Sequence, residues 1–251
     1  MKRLQTDVVV IGGGSTGAGV IRDVAMRGYR AILVDRADIA QGTSGRFHGL
    51  LHSGGRYVVS DPHSATECAE ENAILSRIQG SAIELTGGYF VATHVDDPAW
   101  GDEWAKGAAA TKVPFEEVKV SDVLLAEPRI NPRISRAFKV EDGSVDGWQL
   151  CWGAANSAKQ YGAQILTYHR VTKIERDGDQ VAAVICRDEK TGEDVQIDCS
   201  FVINCAAAWG GQIAAMAGCP DVQVVPGAGI MIAMNHRLVN TVVNRLTYPA
   251  D

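Results

Sequence analysis

Three glycines and one acidic residue near the start of the chain have the spacing of a dinucleotide-binding turn. Gly12, Gly14 and Gly17 form a GxGxxG pattern between two apolar runs, and Asp35 ends the second run, 18 residues after Gly17. In such a turn the first glycine permits the tight bend, the second lets the backbone approach a pyrophosphate, and the third lets a helix pack closely on a strand. The carboxylate accepts hydrogen bonds from the adenosine ribose. The chemistry predicted is therefore the binding of an adenine dinucleotide.

The sequence also indicates the elements that must position these residues. Val8–Ile11 is a β-branched run that predicts a strand, and Ala31–Val34 predicts a second one. Between them, residues 15–27 carry apolar side chains at helical spacing, and Gly28 ends that helix. The order strand, turn, helix, strand and acid is what a dinucleotide fold requires. The alternative is a glycine-rich turn in another kind of α/β unit.

The loop after the second strand decides between NAD and FAD. A nicotinamide enzyme usually continues with further helix and strand units, whereas residues 42–62, GTSGRFHGLLHSGGRYVVSDP, are rich in Gly, Ser, His and Arg without periodicity. Such a loop suits a second cofactor segment, which favours FAD. Arg36 is a residue type that binds the 2′-phosphate of NADP, but Asp35 beside it would repel that phosphate, so NADP is disfavoured.

Composition restricts the remaining function classes. The 251 residues are 46% hydrophobic, enough for one large or two small domains, and the net charge of −6 argues against nucleic acid as a partner. No apolar run approaches the roughly 18 residues of a membrane span, and the N-terminus does not resemble a signal peptide, so a cytoplasmic location is expected. The six cysteines include no CxxC pair, so we expect no metal site and reduced, mostly buried thiols.

Further elements are indicated outside the glycine turn. A capping box that begins at Ser64 predicts a helix with Ile74 and Ile78 among its buried residues. A hairpin turn is predicted at residues 177–179. Residues 201–218 predict a buried strand that runs into a small-residue turn and a helix, an arrangement suited to passing beneath a flat cofactor.

Six motifs spread through nearly the whole chain carry a resemblance to a known family: IGGGSTGAG, GRFHGLLHSGGRY, KVEDGSVD, GAQILTYHRVTKI, VINCAAAWGGQIA and MNHRLVN. With them the sequence resembles the FAD-dependent glycerol-3-phosphate dehydrogenases, most closely the large subunit of the bacterial anaerobic enzyme. The resemblance implies an α/β fold with a glutathione-reductase-type, Rossmann-like FAD-binding domain and a partial substrate-binding sheet domain. The ranges expected are 1–86 and 146–222 for the first domain, and 87–145 and 223–251 for the second.

The activity implied by the resemblance is the oxidation of sn-glycerol 3-phosphate to dihydroxyacetone phosphate. A base takes the C2 hydroxyl proton while hydride passes to the flavin, and the electrons then leave to a quinone or another acceptor. The implied partners are glycerol 3-phosphate, a quinone at the membrane surface and an electron-transfer subunit, with the chain cytoplasmic or peripheral on the inner face of the cytoplasmic membrane. Two alternatives stay open: a related FAD-dependent amino-acid or amine oxidase, and a non-catalytic, truncated flavin-binding domain.

The resemblance also implies which residues form the site. His52, Arg56 and Tyr57 match the family's HxGxRY pattern near the flavin ring, with His52 as proton acceptor and Arg56 as phosphate ligand. The alternative for His52 is a ring that only hydrogen-bonds the flavin. Val171 is implied to contact adenine through its backbone, and Trp209 has a plain core role as its alternative. The predicted cofactor-binding residues are Gly12, Gly14, Ser15, Thr16, Gly17, Asp35, Arg36, Thr43, Ser44, Arg46, His48, Gly49, Val171, Ala206, Ala207 and Trp209.

The sequence departs from the family pattern at three positions and in its length. Ala207 stands where glycine is usual, which would crowd the cofactor if the backbone there needs a positive φ. Ala228 replaces a Lys or Arg near the substrate pocket, and Gln149 replaces a common arginine. Family members continue well beyond the position of Asp251, so the chain is either a fragment or a diverged short protein. We expect it, taken alone, to bind FAD loosely and to oxidise glycerol 3-phosphate slowly or not at all.

Overall fold

The computed structural model describes residues 1–247, and the contacts within the chain divide it into two compact units. Unit 1 contains Met1–Phe47 and Gly147–Met231, and unit 2 contains His48–Asp146 and the chain from Ile232 onward. The last four positions of the expected range 223–251 lie outside the described residues. Among residues 1–247, no helix combines the length and the apolar character needed to cross a membrane.

The described residues form strands, helices and three short 3-10 turns. The strands are β1 (Lys2–Gln5), β2 (Val8–Ile11), β3 (Ala31–Val34), β4 (Leu50–Leu51), β5 (Ile83–Glu84), β6 (Gly88–Thr93), β7 (Phe115–Val118), β8 (Ile134–Val140), β9 (Gly143–Val145), β10 (Gln164–Leu166), β11 (His169–Asp177), β12 (Gln180–Asp188), β13 (Asp194–Asp198), β14 (Phe201–Asn204) and β15 (Val242–Arg245). The helices are α1 (Ser15–Met26), α2 (Pro62–Ile78), α3 (Pro98–Thr111), α4 (Val120–Ala126), α5 (Gly147–Gln160) and α6 (Gly210–Met216). The 3-10 turns are Thr43–Gly45, Gly80–Ala82 and Ala207–Trp209.

A parallel sheet in the order β10-β3-β2-β14 forms the centre of unit 1. β2 and β3 are buried on both faces, which is why each is an unbroken apolar run rather than an alternating one. Val10 packs in one core with residues of α1 and α5, whereas Val9 packs in another with residues of the sheet β1-β13-β12-β11. Because successive side chains of a strand point to opposite faces, unit 1 consists of three layers.

Most of the elements predicted in unit 1 are confirmed. β2 and β3 have the predicted bounds, and Gly28 follows the end of α1 with φ +87°, the conformation that favours glycine after a helix. The hairpin between β11 and β12 turns within residues 177–179, as predicted. The prediction of a buried strand at residues 201–204 is wrong: β14 is an edge strand of its sheet, and Phe201, its first residue, is 64% exposed.

The six cysteines are all free, and half of them are buried. The buried thiols are Cys151, Cys186 and Cys199, whereas Cys219 is exposed, so the expectation of mostly buried thiols is met only in part. Burial raises the pKa of Cys151 and Cys199 to about 11 and that of Cys186 to about 12. These three thiols therefore remain protonated at neutral pH.

Unit 2 is built on a four-stranded sheet in the order β15-β6-β8-β7. β8 is antiparallel to both of its neighbours, and β15 is parallel to β6. Phe90, Phe115 and Phe138 of the sheet pack around Trp104 of α3, with ring centroids 4.9 to 5.5 Å from that of Trp104. A smaller sheet in the order β4-β9-β5 completes the unit.

Residues 48–86 belong to unit 2 by their contacts, although the sequence assigned them to the FAD-binding domain. β4 and β5 both pair with β9, and α2 packs on α3. The difference arises because the loop after the glycine turn leaves unit 1 at Phe47 and forms its next backbone pairs with a distant strand. The assignment of whole domains to FAD and to substrate stays a prediction.

The helix predicted from Ser64 begins two residues earlier, at Pro62. Asp61 is its N-cap, and it accepts a hydrogen bond from the backbone N of Ser64 (3.1 Å). Ile74 and Ile78, which were predicted to be buried, are exposed, because α2 buries small and polar residues instead.

Candidate functional site

The turn between β2 and α1 in unit 1 can be formed only by glycine. Gly12 has φ +112°, and a side chain on it would overlap the carbonyl oxygen of Cys205. A side chain on Gly17 would overlap the carbonyl oxygen of Gly12, and a Cβ on Gly14 would lie 3.0 Å from Ser44 Oγ. The turn therefore leaves bare backbone facing the start of α1, the arrangement that a pyrophosphate needs.

The predicted second cofactor segment begins at the same helix end. Ser44 Oγ accepts a hydrogen bond from Ser15 N (2.9 Å) and donates one to Ser15 Oγ (3.2 Å). Gly147, the first residue of α5, packs so closely on the Ser44 carbonyl that any side chain there would overlap it. Gly14, the N-cap of α1, contributes no side-chain cap. The Ser44 hydroxyl is thus bonded to Ser15, and the amides that follow Ser15 in the first turn of α1 are donors suited to phosphate.

Three other residues predicted on the phosphate side, Thr16, Thr43 and Arg46, are exposed. The Arg46 guanidinium makes no hydrogen bond or ion pair with any residue in the described part of the chain. It therefore remains available to an anionic ligand.

Asp35 lies at the carboxyl end of β3 and is half-buried. Its carboxylate accepts hydrogen bonds from Gly13 N (2.6 Å) and Ala37 N (2.8 Å), which fix it beside the glycine turn. Its carbonyl oxygen accepts a hydrogen bond from His169 N (2.7 Å), so the start of β11 is held next to it. Val171, two residues further along β11, is buried. The predicted ribose ligand and the predicted adenine neighbour therefore lie on segments that are joined directly.

The second predicted nucleotide-facing turn lies against the first. Cys205 N donates a hydrogen bond to the carbonyl oxygen of Ile11, the last residue of β2 (2.8 Å). Ala207 has φ +47°, in the left-handed region, so the positive φ that is unfavourable for alanine is present at this position. Trp209 is half-buried and stacks with Arg36, whose guanidinium carbon lies 4.1 Å from the ring centroid.

In unit 2, His52 is paired with a buried carboxylate. His52 Nδ1 lies 3.3 Å from Asp142 Oδ2, and Ser53 donates to Asp142 Oδ1 from its backbone N (2.7 Å) and its Oγ (2.6 Å). Asn244 Nδ2 also donates to Asp142 Oδ2 (2.9 Å). Burial acts to raise the pKa of Asp142, but the hydrogen bonds from His52 and Ser53 outweigh it and hold that pKa below its usual value. Asp142 is therefore ionised at neutral pH.

The second ring nitrogen of His52 is buried and has no hydrogen-bond partner among residues 1–247. An unsatisfied buried polar atom costs about 1 to 3 kcal/mol, so a ligand hydroxyl that reaches it would be bound favourably. The His48 ring lies edge-on to that of His52, with centroids 5.3 Å apart. Burial, then the nearby His52 and Arg56, lower the pKa of His48. Gly49, the next predicted residue, has φ +73° and accepts a backbone hydrogen bond from Val145 (2.8 Å).

Arg56 and Tyr57 follow His52 but differ in their surroundings. The half-buried Arg56 guanidinium forms no hydrogen bond or ion pair within the described residues. Tyr57 packs against the aromatic core of unit 2. The segment is held in place where Trp104 Nε1 donates a hydrogen bond to the Gly55 carbonyl (2.8 Å). Arg56 is thus an available cation on a fixed backbone, whereas Tyr57 is part of the packing.

A comparison with known protein families decides what kind of chain this is. A family model described as FAD dependent oxidoreductase matches residues 7–251. The chain belongs to this family. FAD is the cofactor of the family, which confirms the prediction of FAD rather than NAD.

Curated relatives confirm the resemblance. The chain is 43% identical to one subunit of the anaerobic glycerol-3-phosphate dehydrogenase of Haloferax volcanii, over 97% of this chain and 43% of that protein. It is 42% identical to one subunit of the anaerobic glycerol-3-phosphate dehydrogenase of Escherichia coli K12, over 98% of this chain and 45% of that protein. The chain therefore spans less than half the length of the curated relatives it matches.

Solved structures confirm the fold class. Glycine oxidase from Geobacillus kaustophilus matches 96% of this chain and 66% of its own, with a TM-score of 0.75 and 19% identity. L-α-glycerophosphate oxidase from Mycoplasma pneumoniae, with FAD bound, matches 96% of this chain and 65% of its own, with a TM-score of 0.73 and 19% identity. At this level of identity the likeness concerns the fold alone, and that fold is the α/β fold of FAD oxidoreductases.

Sequence reasoning missed the polar residues that surround His52. Asp142 lies in the motif KVEDGSVD, which supports the family resemblance, but no residue of that motif was given a role. Asn72 and Asn244 gave no signal, because neither belongs to a motif and both come from distant segments. No group of three or more His, Cys, Asp or Glu residues that could hold a metal ion occurs in residues 1–247.

Proposed function

We propose that this chain takes part in the FAD-dependent oxidation of sn-glycerol 3-phosphate to dihydroxyacetone phosphate. The observation that carries the proposal is its 42–43% identity, over nearly its whole length, to subunits of anaerobic glycerol-3-phosphate dehydrogenases. The geometry of each unit agrees with that reaction, because unit 1 has donors for a dinucleotide and unit 2 has a base and a free cation for a phosphorylated alcohol.

FAD would be held by the residues of unit 1. The backbone at Gly12 and Gly17, where a side chain would overlap a carbonyl oxygen, leaves room for the pyrophosphate. Arg46 adds donors for phosphate oxygens, Ser44 holds the start of α1 in place through Ser15, and the Asp35 carboxylate is the acceptor for ribose hydroxyls. When bound, FAD supplies an acceptor for the hydride that leaves the substrate.

His52 would accept the proton of the substrate's C2 hydroxyl. Its Nδ1 is engaged with the ionised Asp142, and its Nε2 is buried without a partner among the described residues. A neutral imidazole in this state presents a lone pair at Nε2, which is the requirement for a general base. Loss of the hydroxyl proton to His52 lets the C2–O bond become the carbonyl of the ketone product.

Arg56 would bind the phosphate of the substrate. A guanidinium can donate two parallel hydrogen bonds to phosphate oxygens, and no described residue competes for the Arg56 donors. Tyr57, the third residue predicted here, packs on the aromatic core and would support Arg56 through the backbone.

Electrons would leave the flavin through a partner. The relatives in Haloferax volcanii and Escherichia coli are named as subunits, which supports an assembly with an electron-transfer subunit. We propose a quinone at the membrane surface as the final acceptor, with the chain in the cytoplasm or peripheral on the inner face of the membrane.

The visible spectrum of the 251-residue chain tests the proposal. After addition of FAD and gel filtration, we expect a flavin spectrum, and chromatography of the heat-released nucleotide should give FAD and no NAD. Anaerobic addition of glycerol 3-phosphate should then bleach the visible flavin band, over minutes if the reaction is slow. Glycerol and sn-glycerol 1-phosphate are matched controls that lack the phosphate or the correct stereochemistry.

Two results would contradict the proposal. Release of NAD in place of FAD would contradict the proposal that FAD accepts the hydride. Bleaching by glycine or another amino acid, with none by glycerol 3-phosphate, would favour an amino-acid or amine oxidase.

A further inference from the structure

Asp142 is a carboxylate that the fold of unit 2 makes room for and closes off from solvent. It lies between β8 and β9, and its side chain is fully inaccessible. Gly88 of β6 leaves space for it, since a Cβ on Gly88 would lie 2.8 Å from the Cβ of Asp142. Burial of a charge is unfavourable unless hydrogen bonds compensate, so the donors around Asp142 decide its state.

Those donors fill both carboxylate oxygens. Oδ1 accepts the backbone N and the hydroxyl of Ser53, and Oδ2 accepts Asn244 Nδ2. Among the described residues, no Lys or Arg forms an ion pair with Asp142. His52 Nδ1 is the remaining neighbour, at 3.3 Å from Oδ2.

This arrangement allows only one hydrogen position for a neutral His52 ring. An ionised carboxylate can accept hydrogen bonds but cannot donate them, so the hydrogen between Asp142 and His52 must be on Nδ1. In a neutral ring the lone pair is then on Nε2, the atom that is buried without a partner in residues 1–247.

The backbone on both sides of the pair is held independently of the carboxylate. Asn72 of α2 donates through Nδ2 to the carbonyl oxygens of His52 (3.2 Å) and Glu141 (3.3 Å). An isosteric change at Asp142 therefore alters the donor facing His52 while this support remains.

We propose that Asp142 is the positioning residue that fixes His52 in its Nδ1–H tautomer, so that Nε2 is the proton acceptor. What His52 does with that acceptor rests on the proposed function, but the tautomer itself does not. In Asp142→Asn the amide group can keep its oxygen towards Ser53, which places its NH₂ group towards His52 and Asn244, and the Asn244 amide can turn its oxygen to accept from that group. An NH₂ donor favours a lone pair on Nδ1 and moves the ring hydrogen to Nε2.

The experiment is ¹⁵N NMR of the FAD-loaded chain, labelled at its histidine nitrogens, at about pH 8, where an ordinary imidazole is neutral. The His52 signals are assigned by their loss in His52→Asn. We expect the Nδ1–H form of the parent chain to exceed the Nε2–H form by about tenfold, and Asp142→Asn to reverse that ratio.

Glu127→Gln is the matched control. Glu127 is a second buried side chain of this kind in unit 2, 2% exposed. It accepts hydrogen bonds from the backbone N atoms of Asn240 and Thr241 and forms no hydrogen bond or ion pair with a histidine among residues 1–247. Its substitution removes a buried carboxyl group from the same unit and should leave the His52 tautomer unchanged.

A dominant Nε2–H form, or a doubly protonated ring, in the parent chain would overturn the proposal even if Asp142→Asn did not fold. An unchanged ratio in folded Asp142→Asn would overturn it too, as would an equal change in Glu127→Gln. A chain with the expected tautomers whose flavin is bleached by an amino acid and not by glycerol 3-phosphate would instead contradict the proposed function alone.

Discussion

The glycine turn of unit 1 and the histidine cluster of unit 2 are constructed in different ways. The turn depends on close approach between backbone atoms, as where Gly17 meets the Gly12 carbonyl. The cluster depends on side chains from distant segments: His52 and Asn244 are 90 and 102 positions from Asp142 in the sequence. Close contact between backbone atoms allows only glycine at such positions. A residue of a side-chain cluster can instead be substituted while the fold is kept, but the hydrogen bonds and charges of the cluster then change. Substitutions should therefore change the fold in unit 1 and the reaction in unit 2.

The largest effect is expected for Gly17→Ala. The new Cβ would overlap the Gly12 carbonyl oxygen, and that backbone atom cannot move without disturbing the connection from β2 to α1. We expect a loss of more than about 3 kcal/mol in the free energy of unfolding, together with loss of FAD. Thermal unfolding and the flavin content after gel filtration measure the two effects.

Gly19→Ala, on the same helix, is the control. Nothing lies within 4 Å of a Cβ at Gly19, and alanine favours a helix over glycine, so this change should stabilise the chain by about 1 kcal/mol. Equal destabilisation by the two substitutions would show that close approach is not what distinguishes Gly17.

Much of unit 1 could be predicted because its signals are local. Strand, turn, helix and acid follow one another within residues 8–35, and each is indicated by its own composition. The burial of β14 could not be predicted, because an apolar strand has the same sequence whether or not another strand covers it. The boundary at Phe47 was missed for a related reason: only the pairing of β4 and β5 with β9 assigns residues 48–86 to unit 2.

The cluster in unit 2 was predicted only in part, and only through the family resemblance. His52 and Arg56 belong to a motif within six residues, so the resemblance could identify them. Asp142 and Asn244 meet His52 because β8, β9 and β15 belong to sheets formed by distant pairing. Spacing along the chain carries no information about such a meeting.

The next largest effect is expected for Arg56→Ala, which acts on substrate and not on the fold. A charge-assisted hydrogen bond contributes about 1.5 to 3 kcal/mol, so glycerol 3-phosphate should bind about ten- to a hundredfold more weakly. FAD should be retained, because its predicted ligands at Gly12, Asp35 and Ser44 belong to unit 1. Titration of the flavin spectrum with substrate measures the affinity in each variant.

Two further variants sharpen this measurement. Arg56→Lys should recover only part of the affinity, because an ammonium cannot make two parallel hydrogen bonds to phosphate. Arg77→Ala removes an exposed arginine from α2 of the same unit and should leave the affinity unchanged. If both Arg56 variants bind glycerol 3-phosphate normally, Arg56 has a structural role. Substitutions in unit 2 would then not act on the reaction as the comparison of the two units expects.

A smaller effect, of opposite sign, is expected for Ala207→Gly in unit 1. Ala207 has φ +47°, a conformation that is unfavourable for alanine by about 1 to 2 kcal/mol, while glycine makes the unfolded chain less ordered. The net result should be a gain of about 0.5 to 1 kcal/mol, with FAD affinity equal or higher. Urea unfolding measures the gain.

Ala215→Gly, in the exposed part of α6, is the control. Its free energy of unfolding should fall by about 1 kcal/mol, and a loss in both variants would contradict the strain at Ala207.

The smallest effect concerns acid and the side-chain contacts of unit 2. Asp96 accepts hydrogen bonds from Thr93 N (2.7 Å), Thr93 Oγ1 (2.7 Å) and Arg245 Nη2 (2.8 Å), and so joins the end of β6 to β15. Burial acts to raise the pKa of Asp96, but the bonds from Arg245 and Thr93 outweigh it and lower that pKa.

A lowered pKa means that the stabilisation by Asp96 is present above the pKa of the unfolded chain and is lost as pH falls through the pKa of the folded chain. At about pH 3.9, where half of the unfolded chains are protonated at this residue, the loss relative to neutral pH is at most about 0.4 kcal/mol. Asp96→Asn should lack this increment, so urea unfolding at neutral and acidic pH should give the variant the shallower pH dependence. Equal slopes for the two proteins would mean that this long-range contact contributes no more at neutral pH than in acid.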